Sequence, residues 1–360
     1  MNRKNRVLGL DGLRSLAIFS VVLFHLGKAL EDAELTIHPQ ILSVLDFGKF
    51  GVQLFFCISG FVISLSLNHH KSSRSFFRSR ILRIWPSLII VNSIILIVWF
   101  VQSTDNNISG TNLVDYVFSN ILLDPKYANA LSGSEINWTT GVLWSLSIEV
   151  FFYIASAVGW YLFRIKSFVF ISGLVVCYSI FHLAIKFTIS QGTFVTVDSL
   201  IWEGLILYLP WFVVGSVMFE LVMGEGRSVF LRVFLVCTLL FLEVAVTQSR
   251  DFTLGINREV HLLVPLFLSF LTWIAVVNTR LESIVDRKLI LFVAKISYDL
   301  YLSHEFIIKL VVVQNSYATR YQISETLLVA TLLLISVAVS CFVSVFTYEL
   351  SRRIKSLLGA

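Results

Sequence analysis

The first apolar run of the chain, "LDGLRSLAIFSVVLFH" from Leu10 to His25, is interrupted by an acid, a guanidinium and an imidazole: Asp11, Arg14 and His25. A guanidinium grips anions through a planar fork of donors, and an imidazole can take or give a proton near neutral pH. A helix turns about 100° per residue, so the eleven-residue step from Arg14 to His25 comes within about 20° of whole turns. The two side chains share a face, about 16 Å apart along the axis. Asp11 lies about one turn before Arg14 on the same stripe and is placed to pair with it.

Three further segments carry polar groups inside apolar surroundings. In "WSLSIEVFFY", Glu149 has Ser145 one turn before it and Tyr153 one turn after. Burial disfavours the charged form of a carboxyl, a usual condition for acid–base work, and the alternative use of Glu149 is a hydrogen bond between helices. In "SYDLYLSHEFI", Ser297, Tyr301 and His304 fall on one helical stripe, while Asp299 and Glu305 add charge with no evident partner. In "FFRSRILRIWP", Arg80 and Arg83 are i,i+3 neighbours beside Arg78, and Pro86 suits the first turn of a following helix. Such cations suit phosphates, and equally serve as a topology signal drawn to anionic lipid. In "FGVQLFFCISGFVIS", Gly51, Gly60, Ser59 and Ser64 read as sites of close helix approach. Glu203, Glu220, Glu243 and Glu349 stand alone or near span ends, with no assigned role.

The elements that must hold these groups are membrane helices. Of 360 residues, 56% are hydrophobic and 14% charged, and mean hydropathy is +0.82. That balance predicts an all-α, polytopic membrane protein. About ten spans are expected, at 8–27, 50–67, 84–102, 142–163, 167–187, 200–223, 229–247, 260–278, 289–313 and 325–349. The basic stretch 71–83 reads as an interfacial helix turning Phe76, Phe77, Ile81 and Leu82 toward lipid or core. With the N-terminus in the cytoplasm, the densest clusters of Lys and Arg (Arg3, Lys4 and Arg6, the 71–83 stretch, and Arg352, Arg353 and Lys355) all fall inside, so both termini are expected to be cytoplasmic. The long segment 103–141 is then outside and reads as an ordinary polar loop, with a part-ordered lid as the alternative. The basic residues cluster between apolar runs, which sets nucleic-acid binding aside. Cys57, Cys177, Cys237 and Cys341 sit within apolar runs without disulfide or zinc spacing, so no metal is expected. No cleavable signal peptide, repeat or appended soluble domain is evident, and residues 1–360 read as one integral-membrane domain.

Taken in order, "LDGLRSLA" followed by His25, "GVQLFFCISGF", "FFRSRILRIWP", "WSLSIEVFFY" and "SYDLYLSH" resemble the acyltransferase 3 family of bacterial integral-membrane acyltransferases over nearly the whole chain. The Arg-x10-His arrangement of Arg14 and His25 is the hallmark of that resemblance, whereas Ser79 stands where many members have a basic residue. The resemblance implies a multi-pass protein of the bacterial inner membrane, in its stand-alone form. It implies transfer of an acyl group, usually acetyl, from cytoplasmic acyl-CoA to a hydroxyl of an extracytoplasmic or lipid-linked glycan. Arg14, Arg80 and Arg83 would then bind the anionic donor, with acetyl-CoA the expected donor substrate. His25 would act as base or acyl carrier, Glu149 would orient or recharge it, and Tyr298, Tyr301 and His304 would line the acceptor side. Membrane lipid, the glycan and the acyl-CoA are the expected partners, and no oligomeric state is implied. Two other classes fit a many-span chain with internal polar groups: a transporter or flippase of polar small molecules, and a non-catalytic scaffold in glycan assembly. The concentration of polar residues in a few spans, without paired broken helices, weighs against transport.

Overall fold

A computed structural model describes residues 8–32, 38–70, 72–102, 110–122, 135–163, 169–174, 198–223, 258–277, 288–314 and 325–357, with positions 125, 166, 176 and 177. Helix α1 (Leu8–Asp32) buries Leu10, Leu13, Ala17 and Val21, a stripe at the three- and four-residue spacing that a helix turns to one side. Helix α2 (Pro39–Asp46) begins with Pro39 in its first turn and the His38 ring accepting the Gln40 N–H at 3.4 Å. A 3-10 turn (Phe47–Phe50) leads into α3 (Gly51–His69), followed by α4 (Ser73–Gln102), α5 (Gly110–Ile121) and α6 (Leu143–Ala157), which ends in a π turn at Val158–Leu162. The remaining long helices are α7 (Asp198–Met223), α8 (Arg258–Val277), α9 (Lys288–Gln314) and α10 (Glu325–Leu357).

The protein is a helical membrane protein. Among the described residues, four stretches are long and apolar enough to cross a bilayer: Leu8–Asp32, Pro39–His69, Ser73–Gln102 and Leu143–Leu162. Helices also occupy the expected spans at 200–223, 260–278, 289–313 and 325–349. The span expected at 229–247 lies outside the described residues, as do Glu243 and most of 167–187.

Two expectations are corrected. The stretch 71–83 is not a separate interfacial helix, because α4 runs unbroken from Ser73 to Gln102 and carries Pro86 in its interior. Ser72 Oγ accepts the Ser75 N–H at 3.3 Å, which caps the helix well before the span. Phe76 is wholly buried against the His70 ring, and such burial stabilises by about 1.5–3 kcal/mol, enough to draw a basic segment into the packed protein. The second correction concerns 103–141. Part of it is α5, and 135–142 is tied down by side chains. Asp115 accepts the Asn137 N–H at 2.8 Å and Ser119 Oγ accepts the Thr139 N–H at 2.9 Å. Asn92 of α4 accepts from Thr139 Oγ1 at 2.7 Å and donates to Asn120 at 3.1 Å. Polar residues that hydropathy counts as loop are here the partners of buried backbone N–H groups.

The chain divides into two compact units. One comprises Met1–Leu13, Gln53–Phe77 and Ile148–Asp286; the other comprises Arg14–Val52, Arg78–Ser147 and Arg287–Ala360. In the first, α3 and α7 meet backbone to backbone. A Cβ on Gly60 would stand 2.0 Å from Phe212 O, and one on Gly215 would stand 1.8 Å from Cys57 O. Ser216 Oγ donates to Gly60 O at 3.2 Å, and Phe152 of α6 stacks on Phe212 with centroids 4.2 Å apart. The expected packing role of Gly60 is thus realised. In the second unit, Gly51 sits against Ala17 O of α1, and α9 packs along α10 through Ser303 and Ser340, 2.9 Å apart.

Candidate active site

The second unit gathers the polar stripes of α1 and α9. The rings of His25 and His304 meet edge to face, with centroids 5.1 Å apart and planes at 66°. His25 is half-buried and His304 has no exposed surface. His304 Nδ1 lies 3.0 Å from Leu300 O and 2.8 Å from Tyr301 O, both on its own helix. The Tyr301 ring is the next neighbour, with centroids 5.7 Å apart. Its hydroxyl lies 2.6 Å from Ser145 Oγ and donates to Val142 O at 3.3 Å. Two histidines, a tyrosine and a serine from α1, α9 and α6 therefore form one polar group, buried at all but the half-buried His25.

The helix ends that carry this cluster are pinned by an acid. Glu305 accepts the Val142 N–H at 3.0 Å, just ahead of α6, and receives Lys309 Nζ at 2.6 Å. Gly141 makes the approach possible, because a Cβ there would stand 2.8 Å from Glu305 Oε1. Asp299 accepts from Ser344 Oγ of α10 at 2.5 Å, and Tyr298 donates to Ile84 O of α4 at 3.1 Å. The charges that lacked partners in the sequence are thus the clasps of α9. Glu305 and Lys309 were readable as an i,i+4 pair, but the Val142 contact had no signal beyond the glycine beside it.

Beside His25 stands Phe24. Its ring stands 5.1 Å from the His25 ring and also lines a cavity of about 340 Å³ between α1 and α2. Lys28, Glu31, Ser43 and Asp46 give that cavity a polar rim able to bind hydroxyls.

The expected donor residues lie on α1 and α4. Arg14 is half-buried, Arg80 is buried and Arg83 is exposed. The i,i+3 spacing of Arg80 and Arg83 therefore joins one cation held inside the protein to one on its surface. Asp11 is buried. Glu149 belongs to the first unit, where its carboxylate accepts from Ser59 Oγ at 2.9 Å and from the Tyr153 hydroxyl. Ser59, expected only to allow close packing, thus has a polar partner. Ser297 donates to Ala294 O of its own helix at 2.9 Å.

Apolar helices of the second unit thus hold an imidazole pair, with Arg14 half-buried on one of them. The family described as acyltransferase domain matches residues 7–346, and the chain belongs to that acyltransferase 3 family. A protein provisionally named membrane-bound transacylase BcsY, of Komagataeibacter xylinus, is 28% identical over 155 residues, covering 42% of this chain and 36% of its own length. One provisionally named O-acetyltransferase of Staphylococcus aureus (strain COL) is 30% identical over 158 residues, covering 41% of this chain and 23% of its own. The acyltransferase MdmB of Streptomyces mycarofaciens is 28% identical over 156 residues, covering 43% and 39%. The chain thus spans well under half the length of these relatives. No solved structure matches it.

Proposed function

We propose that the protein is a membrane O-acyltransferase that moves an acyl group, most simply acetyl, from cytoplasmic acyl-CoA to a hydroxyl of an extracytoplasmic or lipid-linked glycan. The observation that carries the reading is the His25 ring, half-buried on the same face of α1 as Arg14 and set against His304. Membership of the acyltransferase family and the names of the relatives support it. An imidazole that is neutral can remove the acceptor hydroxyl's proton as its oxygen attacks the thioester carbonyl. The new ester C–O bond forms, the C–S bond breaks, and the departing thiolate takes the proton from the imidazolium. Arg14, Arg80 and Arg83 bind the phosphates of the donor, with the exposed Arg83 outermost and the buried Arg80 fixing the anion's position. Glu149, held by Ser59 and Tyr153, is the second catalytic group of this proposal. Tyr298, Tyr301 and His304 form the acceptor-side wall, and the cavity beside Phe24 offers the glycan an entrance.

The test is transfer of labelled acetyl from acetyl-CoA to membrane glycan by wild type and by His25→Ala at equal membrane content. The reading expects a fall of about 10²-fold or more in the variant, in line with loss of a general base. Full transfer by His25→Ala would remove His25 from the chemistry. Movement of a polar solute across the membrane without any acyl transfer would decide for a transporter.

A further inference from the structure

Resting on the acyltransferase reading, the geometry around His304 carries one step more. A neutral imidazole has one N–H and one bare nitrogen, and its surroundings choose which is which. Both groups facing His304 Nδ1 are carbonyl oxygens, Leu300 O at 3.0 Å and Tyr301 O at 2.8 Å. Only a protonated Nδ1 satisfies them, so Nε2 carries the lone pair. That Nε2 is buried and has no hydrogen-bond partner within the protein, in a side chain with no exposed surface. A buried acceptor left empty is a standing cost unless something fills it during function. Its aromatic neighbours are the rings of Tyr301 and His25. The Tyr301 hydroxyl lies 2.6 Å from Ser145 Oγ and donates to Val142 O at 3.3 Å. An N–H···N hydrogen bond of about 3 Å between two imidazoles sets their centroids about 5 Å apart. The observed centroid distance is 5.1 Å with the rings edge to face and no bond between them, so a turn of the His25 ring, without a shift of either helix, is enough to make it.

We propose that His304 is the positioning residue of the base: when the His25 ring turns toward it, its Nε2 accepts the N–H of His25, which leaves the other ring nitrogen of His25 bare toward the acceptor hydroxyl. When that nitrogen takes the hydroxyl proton, His25 becomes an imidazolium that still donates its original N–H to His304. When the thiolate leaves, it receives the newly gained proton, and both rings return to their starting tautomers. His304 neither gains nor loses a proton in the cycle. The arrangement does for an imidazole base what an acceptor on its far nitrogen does in hydrolytic triads.

The experiment separates this role from support of the helix. Glutamine at this position carries an amide oxygen about where Nε2 stands. Asparagine carries an amide N–H about where Nδ1 stands and nothing at Nε2. A residue that merely satisfies the carbonyls of Leu300 and Tyr301 would therefore be replaced by asparagine, and one that receives His25 would be replaced by glutamine. Release of coenzyme A from acetyl-CoA is followed in membranes of the source cell, which hold the acceptor, for wild type, His304→Gln, His304→Asn and His25→Ala. The expected result is kcat within about threefold of wild type for His304→Gln and down about tenfold or more for His304→Asn, with KM for acetyl-CoA unchanged in both. Wild-type kcat in His304→Asn, or equal loss in both variants, would overturn the assignment. Absence of release by wild type would instead overturn the acyltransferase reading and this inference with it.

Discussion

The value of Glu305 can be divided between its two partners. Lys309 is 59% exposed, and an ion pair to such a cation is worth about 0–1 kcal/mol. The Val142 N–H is buried, and leaving it without an acceptor costs about 1–3 kcal/mol. The backbone contact dominates. Glu305→Gln, which keeps an acceptor oxygen, is therefore expected to melt close to wild type in detergent, whereas Glu305→Ala loses about 1–3 kcal/mol. Equal melting of Glu305→Ala and wild type would show that the Val142 clasp does not hold. At this scale the sequence was half legible. Helical period alone puts Arg14 and His25 on one face, and α1 is helical across both. The meeting of His25 with His304 was not legible, since it joins residues at opposite ends of the chain and no local spacing encodes it.

Helices α3 and α7 are held by the absence of side chains rather than by their presence. The atoms facing Gly60 and Gly215 are backbone carbonyl oxygens, which cannot swing aside as a flexible side chain can. Gly215→Ala is expected to cost at least the usual about 1–3 kcal/mol of overpacking, read as a lower melting temperature and lower membrane yield. Gly173 supplies the control: it is helical and a Cβ there meets nothing within 4 Å, so Gly173→Ala is expected to be neutral or slightly stabilising. Matching losses in the two variants would contradict the close-approach account. Small residues in "CISGF" announced this packing in the sequence. The continuity of α4 did not announce itself, because a run of Arg and Ser before a proline reads as an element boundary. The burial of Phe76 and the cap from Ser72 override it.

For the molecule as a whole, composition was enough to read helices in a membrane, since an apolar fraction of 56% allows little else. The ordering of α5 and residues 135–142 could not be read this way, because it comes from Asp115 and Ser119 accepting backbone N–H groups, and Asn92 accepting the Thr139 hydroxyl, far off in sequence. The proposed division of labour between cation and base makes a kinetic prediction. Neutralising Arg83 by Arg83→Gln is expected to raise KM for acetyl-CoA several-fold with little change in kcat, because an exposed cation attracts the donor without touching the reacting atoms. The effect should shrink as salt is raised, since exposed charges are screened. A kcat-only effect that ignores salt would displace Arg83 from the donor site.

Mass analysis of surface glycans from cells carrying wild type, His25→Ala or no copy of the protein decides whether His25 drives acylation of a glycan. The expected glycan is heavier by one acyl group in the first case and lacks that group in the other two. Glycans identical in all three, or acylation that persists with His25→Ala at full membrane content, would contradict it.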